Sequence, residues 1–269
     1  MSARGSSIRT AMRRVSRNVL RPVAETLFPP NCWLTHHATT WNEGGLSLSV
    51  RTRIAAAMAR PYCGRCGATQ GPWSFSYAGC QRCAHRNLGI AVIARAGAFE
   101  PPFSPLLYRL KFGRHWQIAP LLAIPLWQAM QRQITQCGLA MDAIIPIPLH
   151  WMRNFTRGFN QAEELGWHLS RLAGVPMYRA LSRIRQTTSQ AKTSSMSARR
   201  ENLRGAFAVH SGYGFHGATV WLIDDICTTG ATLHAAATAL SHLPAYERPA
   251  QICGAVVAVT DYTPPPLSP

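Results

Sequence analysis

The chain has 269 residues, of which 47% are hydrophobic and 14% are charged. This length and balance exclude a disordered chain and favour one main globular domain with a small additional module. The nearest candidate for a membrane segment, residues 118–130, is interrupted by Pro120 and Pro125. We therefore expect no membrane span.

The first 24 residues contain six arginines, four serines and no acidic residue. They lack the apolar core that a secretory signal peptide needs, so we expect a cytoplasmic protein. Residues 1–26 are interpreted as a basic, flexible N-terminal extension. A short surface helix and an organellar transit peptide are the alternatives.

The net charge of +17 is concentrated in the N-terminal third, where residues 1–96 carry thirteen arginines against two acidic residues. Such a surface attracts phosphate-rich partners, including nucleic acid, through counterion release. The 26 arginines against only two lysines are equally typical of coding bias. Charge alone therefore leaves nucleic-acid binding open.

Two C-x-x-C pairs form the clearest motif: Cys63, Cys66, Cys80 and Cys83. Each pair can direct two thiolates at one ion, and a closed four-sulfur site indicates structural Zn²⁺. Two disulfides or a redox pair are the alternatives, although the first needs an oxidising compartment. The more upstream Cys32 is interpreted as a buried apolar residue or as a ligand of a second metal site.

Beyond the cysteine pairs, periodicity and the positions of proline and glycine predict alternating strands and helices. In chain order these are a strand at 91–98, helices at 105–112 and 118–133, a strand at 141–145, a helix between Asn160 and Gly174, strands at 206–209 and 218–223, and a helix with Leu233, Ala236, Ala237 and Leu240 on one face. This alternation predicts an α/β domain with a parallel sheet flanked by helices.

The helix between Asn160 and Gly174 has the most complete pattern. Asn160 can cap its N-terminus, Gly174 can end it, and apolar residues including Leu172 recur at helical spacing. The loop before it, residues 153–159, contains two arginines and is a candidate anion site or an ordinary connection. Residues 186–197 are rich in serine and threonine and predict a loop that closes over a ligand or a plain linker.

The strand at 218–223 leads into Asp224 and Asp225 and then into the small hydroxyl-rich segment Thr228–Thr232. Two carboxylates at the end of a buried strand can accept hydrogen bonds from ribose hydroxyls. Threonine hydroxyls, a glycine and the N-terminus of the following helix can hold a phosphate. The pattern predicts a ribose-5-phosphate site, against the alternative of an ordinary turn with solvated aspartates.

Several of these segments together resemble the ComF competence-protein family, within the type I phosphoribosyltransferase superfamily. The matching stretches are residues 27–32, the two cysteine pairs, 110–114, 145–149, 157–161, 187–207 and the phosphoribosyl-pyrophosphate (PRPP) signature at 220–232. Two departures occur: Thr35 stands where members often have a cysteine, and residues 38–60 lack a second cysteine pair.

The resemblance implies a type I phosphoribosyltransferase-like sheet preceded by a zinc-knuckle module. It places the zinc module at 27–90, the phosphoribosyltransferase-like domain at 91–262 and a Pro-rich tail at 263–269. It also implies catalytic carboxylates, PRPP-binding residues and Mg²⁺ bound with PRPP. The catalytic residues would be Asp224 and Asp225, and the PRPP-binding residues Thr228, Thr229, Gly230, Ala231, Thr232, Pro146, Arg157, Lys192, Arg199 and Arg200.

Three functions are compatible with this sequence. One is a phosphoribosyltransferase of unknown acceptor, in which the carboxylates support an oxocarbenium-like transition state. The second is a competence or DNA-utilisation factor that binds single-stranded DNA with little turnover, alongside other DNA-processing proteins. The third is a protein that senses PRPP without turnover.

Overall fold

The computed structural model describes residues 30–39, 44–71, 75–76, 79–84, 87–149, 158–184 and 205–261. The chain divides into two compact units, Met1–Arg53 and Ile54–Pro269. The cysteine pairs and the main sheet both belong to the second unit. The predicted boundary between residues 90 and 91 stays a prediction.

The described residues contain five α-helices, eight strands and a short 3-10 helix at Trp116–Ile118. The helices are α1 (Leu48–Ala59), α2 (Phe103–Phe112), α3 (Ala119–Cys137), α4 (Gln161–Ala173) and α5 (Ala231–Ser241). The strands are β1 (Phe75–Ser76), β2 (Gly79–Cys80), β3 (Ile93–Ala98), β4 (Ala143–Pro146), β5 (Leu181–Arg183), β6 (Phe207–Val209), β7 (Thr219–Cys227) and β8 (Gln251–Val259).

The main sheet has four parallel strands in the order β3, β8, β7, β4. The two central strands, β7 and β8, are buried along almost their whole length, as expected when helices cover both faces of a parallel sheet. The predicted α/β class is confirmed. Two short antiparallel pairs, β1 with β2 and β5 with β6, lie outside this sheet.

Helix α4 confirms the predicted caps. The side chain of Asn160 accepts a hydrogen bond from the backbone N–H of Ala162, and Gly174 ends the helix in the left-handed conformation at φ 71°. The apolar face predicted for this helix is wrong at one position. Leu172 is 45% exposed, whereas Leu165 and Leu169 are buried.

Strand β7 is longer than the sequence predicted. The prediction ended it at residue 223, but the ladder continues to Cys227 because Asp224, Ile226 and Cys227 pair with the neighbouring strand β8. The two aspartates therefore lie within the strand, and the turn to α5 begins only after Cys227. Strand β8 itself was missing from the sequence prediction.

Helix α2 packs closely on strand β3. A Cβ atom added to Gly97 of β3 would lie 2.4 Å from the ring of Phe103, so only glycine admits this approach. Leu106, Leu107 and Leu110 complete the buried face of α2. This packing holds the apolar face of α2 against the sheet. No helix in the part of the chain that the structure describes is long and apolar enough to cross a membrane.

Candidate ligand site and cysteine cluster

The turn between β7 and α5, which is called the phosphate loop here after its predicted role, ends at the N-terminus of a helix. Gly230 adopts φ 77°, a left-handed conformation that favours glycine, and α5 begins at the next residue. The backbone N–H of Ala231 donates to Oγ1 of Thr229 over 3.3 Å. The positive end of the helix dipole and the hydroxyls of the loop are thus brought together.

The loop borders a small cavity of about 20 Å³. Its lining combines one carboxylate with the loop and the start of α5: Asp224, Ile226, Cys227, Thr228, Gly230, Ala231, Thr232 and Leu233. A space of about 10–15 Å³ by this measure holds one water molecule. The cavity is therefore close to the size of one water molecule, so a larger ligand has to lie over the lining residues rather than inside it.

The second carboxylate makes an ion pair with a lysine far away in sequence. Oδ2 of Asp225 lies 2.7 Å from Nζ of Lys111 on α2, and the side chain of Asp225 is 9% exposed. This oxygen accepts no well-aligned hydrogen bond from the described residues. Lys111 therefore compensates the charge of Asp225, whose Oδ2 is buried and whose side chain does not line the cavity.

Asp224 has a different electrostatic environment. Burial, and then the neighbouring Asp225 carboxylate, raise the pKa of Asp224 to about 7, although Lys111 opposes this. Its Oδ1 accepts a hydrogen bond of 2.8 Å from the backbone N–H of Asp225. At neutral pH this carboxyl can therefore exchange between the neutral form, which can donate a hydrogen bond, and the ionised form.

The other predicted ligand residues fall into two groups. Pro146 ends β4 and pairs with Ile223 of β7, one position before Asp224. The loop after it is fixed by Asn160, whose Nδ2 donates to the carbonyl oxygen of Ile147 over 3.0 Å. The remaining four lie outside the described residues: Arg157, Lys192, Arg199 and Arg200.

The two C-x-x-C pairs meet in one buried cluster. The four Sγ atoms lie within 4.8 Å of one another, with 3.7 Å between those of Cys63 and Cys83 and 3.8 Å between those of Cys66 and Cys80. Four sulfurs placed tetrahedrally at about 2.3 Å from a zinc ion are about 3.8 Å apart. All four cysteines are free thiols, and their spacing suits a structural metal such as zinc.

The ionisation of the four thiols also favours a bound metal ion. Hydrogen bonds from the Cys66 thiol and from the backbone lower the pKa of Cys63, whereas the bond to Cys63 and burial raise the pKa of Cys66. Burial, followed by the charge of Cys63, raises the pKa of Cys83 to about 11. Four adjacent thiolates repel one another, and a divalent cation removes that repulsion.

One arginine connects the cysteine cluster to the phosphate loop. Arg82, between Cys80 and Cys83, donates to the carbonyl oxygen of Thr228 in the loop and, over 2.8 Å, to that of Thr260 after β8. It also lies 3.9 Å from the carboxylate of Asp261. Sequence reasoning missed both Arg82 and Lys111, although Lys111 belongs to one of the stretches that carried the family resemblance.

Close packing also joins the cysteine cluster to the region of the phosphate loop. A Cβ atom added to Gly67 would lie 2.7 Å from Cγ2 of Val259, the last residue of β8, and Gly67 has φ 73°. Leu88 is buried among the four cysteines and lies about 4.0 Å from the position of a Cβ on Gly230. The cysteine cluster therefore packs against residues that border the phosphate loop, at the end of β8 and near Gly230.

Cys32 belongs to the first compact unit and is buried, as one of its two interpretations predicted. Although burial opposes it, hydrogen bonds from the backbone N–H of Ser47 and from Thr35 lower the pKa of Cys32 to about 6. Within the described ranges, the four-cysteine cluster is the only group of three or more residues placed to hold a metal.

Taken together, the fold and the site define an α/β protein with a strand-to-helix phosphate loop and an attached four-cysteine cluster. No family model matches the chain. It is 34% identical over 178 residues to Competence protein F of Haemophilus influenzae, covering 65% of this chain and 76% of that protein. It is 31% identical over 207 residues to the DNA utilization protein YhgH of Escherichia coli K12, covering 76% of this chain and 88% of that protein. The chain belongs to the ComF competence-protein family.

Proposed function

We propose that this protein is a DNA-utilisation factor that binds single-stranded DNA and holds a deoxyribose 5-phosphate group of that DNA in the phosphate loop. The names of its relatives, a competence protein and a DNA utilization protein, support this role. The net charge of +17 supports a polyanionic ligand. Other competence or DNA-processing proteins are the expected partners.

The observation that carries the proposal is the cavity beside the loop. It places the carboxyl group of Asp224 together with the hydroxyl-bearing residues Thr228 and Thr232 at the N-terminus of α5. The helix dipole and hydroxyls suit a phosphate, and the carboxyl group of Asp224, which donates a hydrogen bond in its neutral form, suits a sugar oxygen. A deoxyribose phosphate that lies over these residues satisfies both at once.

We infer that the cysteine cluster binds Zn²⁺ in a structural role. A closed set of four thiolates has no open position for a substrate, and thiolate ligands in tetrahedral geometry favour zinc. Cys63, Cys66, Cys80 and Cys83 would hold the ion. Its contribution would be to fix the segment from which Arg82 reaches the phosphate loop.

Fluorescence anisotropy tests the proposed function. A labelled oligothymidylate of about 16 nucleotides is titrated with the protein, and ribose 5-phosphate is then added as a competitor. We expect micromolar or tighter binding that ribose 5-phosphate weakens, and reduced competition in Thr232→Val, which removes a hydroxyl without changing side-chain shape. Absence of oligonucleotide binding would overturn the proposal.

A second candidate function, binding or transfer of the phosphoribosyl group of PRPP, is favoured by Asp225. Together with Asp224, which lines the cavity, it forms a pair of carboxyl groups directly before the loop, and a ribose offers a 2-hydroxyl that DNA lacks. In that case Mg²⁺ would neutralise the diphosphate of the ligand, and the carboxylates would stabilise positive charge at the anomeric carbon.

Titration calorimetry with PRPP and Mg²⁺ separates the two candidates. Binding by the intact protein, lost in Asp225→Asn, would support a phosphoribosyl site and justify a search for an acceptor. Absence of heat with PRPP, combined with binding of the oligonucleotide, would leave DNA as the ligand and exclude the second candidate.

A further inference from the structure

Helix α2 presents exposed aromatic rings on the side that does not pack on the sheet. Tyr108 is 53% exposed and Phe112 is 66% exposed. Their ring centroids are 6.1 Å apart with 26° between the ring planes, so the two rings are stacked one helical turn apart. Two aromatic side chains that contact each other are thereby more than half exposed to solvent.

A third ring holds this arrangement in place. Phe99, which follows β3, meets Tyr108 edge to face at a centroid distance of 5.6 Å. Beyond the helix, Trp116 is 55% exposed. Isolated exposed aromatic residues are ordinary, but a row of them held by mutual ring contacts indicates an interaction surface.

The same segment has a strongly positive composition. Between Glu100 and Asp142 the chain contains no acidic residue. Arg109 is half-buried and Arg114 is exposed, and both alternate with the aromatic residues along the chain. Positive charge interleaved with exposed rings complements single-stranded nucleic acid, which presents phosphates and the faces of its bases.

This face is directly connected to the phosphate loop region. Lys111 lies three residues after Tyr108 and one before Phe112, so its side chain leaves the helix beside the two rings. Its Nζ lies 2.7 Å from the carboxylate of Asp225, the residue next to Asp224 of the cavity. The ion pair therefore holds α2 beside the end of β7, from which the loop departs.

We propose that the exposed face of α2 formed by Tyr108 and Phe112 is a stacking platform for bases of single-stranded DNA. The proposal rests on the proposed function, since it places the bases next to the nucleotide whose phosphate the loop holds. Aromatic stacking is tolerant of base sequence, because every base has a flat face. The platform would let the protein hold a strand without selecting a sequence.

The test compares ring removal on this face with ring removal elsewhere. Tyr108→Leu and Phe112→Leu keep apolar bulk and remove the ring, and Tyr246→Leu is the matched control because Tyr246 is 72% exposed on another segment. We expect each α2 substitution to weaken binding of a labelled oligothymidylate about 5- to 150-fold, with no change in the control. Circular dichroism confirms that each variant is folded.

Binding of free ribose 5-phosphate, measured by calorimetry, separates the platform from the loop. The platform predicts that the double variant Tyr108→Leu with Phe112→Leu keeps ribose 5-phosphate affinity while it loses oligonucleotide affinity. Equal losses of both would show that the rings act on the loop, and would overturn the platform. Unchanged oligonucleotide affinity in the double variant would also overturn it, while Thr232→Val still tests the proposed function separately.

An apolar surface for a protein partner would give a different result. Leucine retains apolar contact area, so a protein interface would tolerate these substitutions better than base stacking does. Oligonucleotide binding that is unaffected by the double variant would therefore favour a protein partner over DNA.

Discussion

The cysteine cluster and the phosphate loop are both built from short continuous motifs, but they depend on the rest of the chain to different extents. All four thiols of the cluster come from residues 63–83, and their sulfur atoms lie within 4.8 Å of one another. The carboxylate of Asp225, near the end of β7, is paired with Lys111, which lies on a helix far upstream. The loop also accepts a hydrogen bond from Arg82 in the cluster.

This difference separates a local site from a composite one. The spacing of ligands in sequence is enough to specify a metal cluster, because each C-x-x-C turn already directs two sulfurs at one point. A buried carboxylate requires a countercharge, and only the tertiary fold supplies it. We expect the cysteine cluster and the phosphate loop to be separate in stability and coupled in ligand binding.

The largest effect is expected from breaking the metal cluster. Cys63→Ser removes one of four ligands, and we expect loss of most bound zinc together with several kcal/mol of stability. Metal content by mass spectrometry and thermal unfolding measure both quantities. Cys137→Ser is the control, because Cys137 is exposed and lies outside the cluster. Equal zinc in Cys63→Ser and the intact protein would contradict the assignment.

Next in size is removal of the countercharge of Asp225. Lys111→Met leaves a carboxylate that is 9% exposed without its partner, and we expect a loss of about 2–4 kcal/mol. Urea unfolding measures it. The double variant Lys111→Met with Asp225→Asn should recover most of the loss, since no unpaired charge is left. A single variant as stable as the intact protein would show that this ion pair contributes nothing.

A smaller effect is expected where the two regions meet. Arg82→Ala removes donors to the carbonyl oxygens of Thr228 and Thr260, and we expect about 10- to 100-fold weaker ligand binding at unchanged zinc content. Arg65→Ala is the matched control, because Arg65 occupies the corresponding position of the first cysteine pair and is exposed. Equal affinity in both variants would mean that the cluster and the loop are independent.

The smallest effect concerns pH. Because burial and the Asp225 carboxylate raise the pKa of Asp224 to about 7, the folded chain keeps this proton to higher pH than the unfolded chain, whose value is near 4. The free energy of unfolding therefore falls as pH rises from about 4 to about 7. Asp224→Asn should lose this dependence, so its stability relative to the intact protein should increase across that window. A difference that is constant with pH would contradict the raised pKa.

Local patterns predicted much of this fold, and the failures have physical causes. The caps of α4 at Asn160 and Gly174 follow from side-chain and backbone chemistry that acts within a few residues. The end of β7 at Cys227 does not follow from such local chemistry, because Asp224 stays in the ladder by pairing with β8. A signal for β8 was present as the continuous apolar run that ends at Val259.

The candidate site likewise combines residues that a local motif predicted with residues that only the tertiary fold brings in. Asp224 and the loop at Thr228–Thr232 were predicted from a continuous motif, and the structure places most of them around one cavity. The contacts of Lys111 and Arg82 join positions more than a hundred residues apart, so no local pattern could reveal them. The presence of only two lysines, Lys111 among them, in a chain with 26 arginines was the available hint for the first.

The most direct test of the proposed function compares two oligonucleotides that differ only in their 5′ end. If the loop holds the deoxyribose 5-phosphate group of a DNA end, a 5′-phosphorylated oligothymidylate should bind at least about 10-fold more tightly than the 5′-hydroxyl form. That advantage should disappear in Thr232→Val. Equal affinity of the intact protein for the two oligonucleotides would contradict the assignment of a DNA end to the phosphate loop.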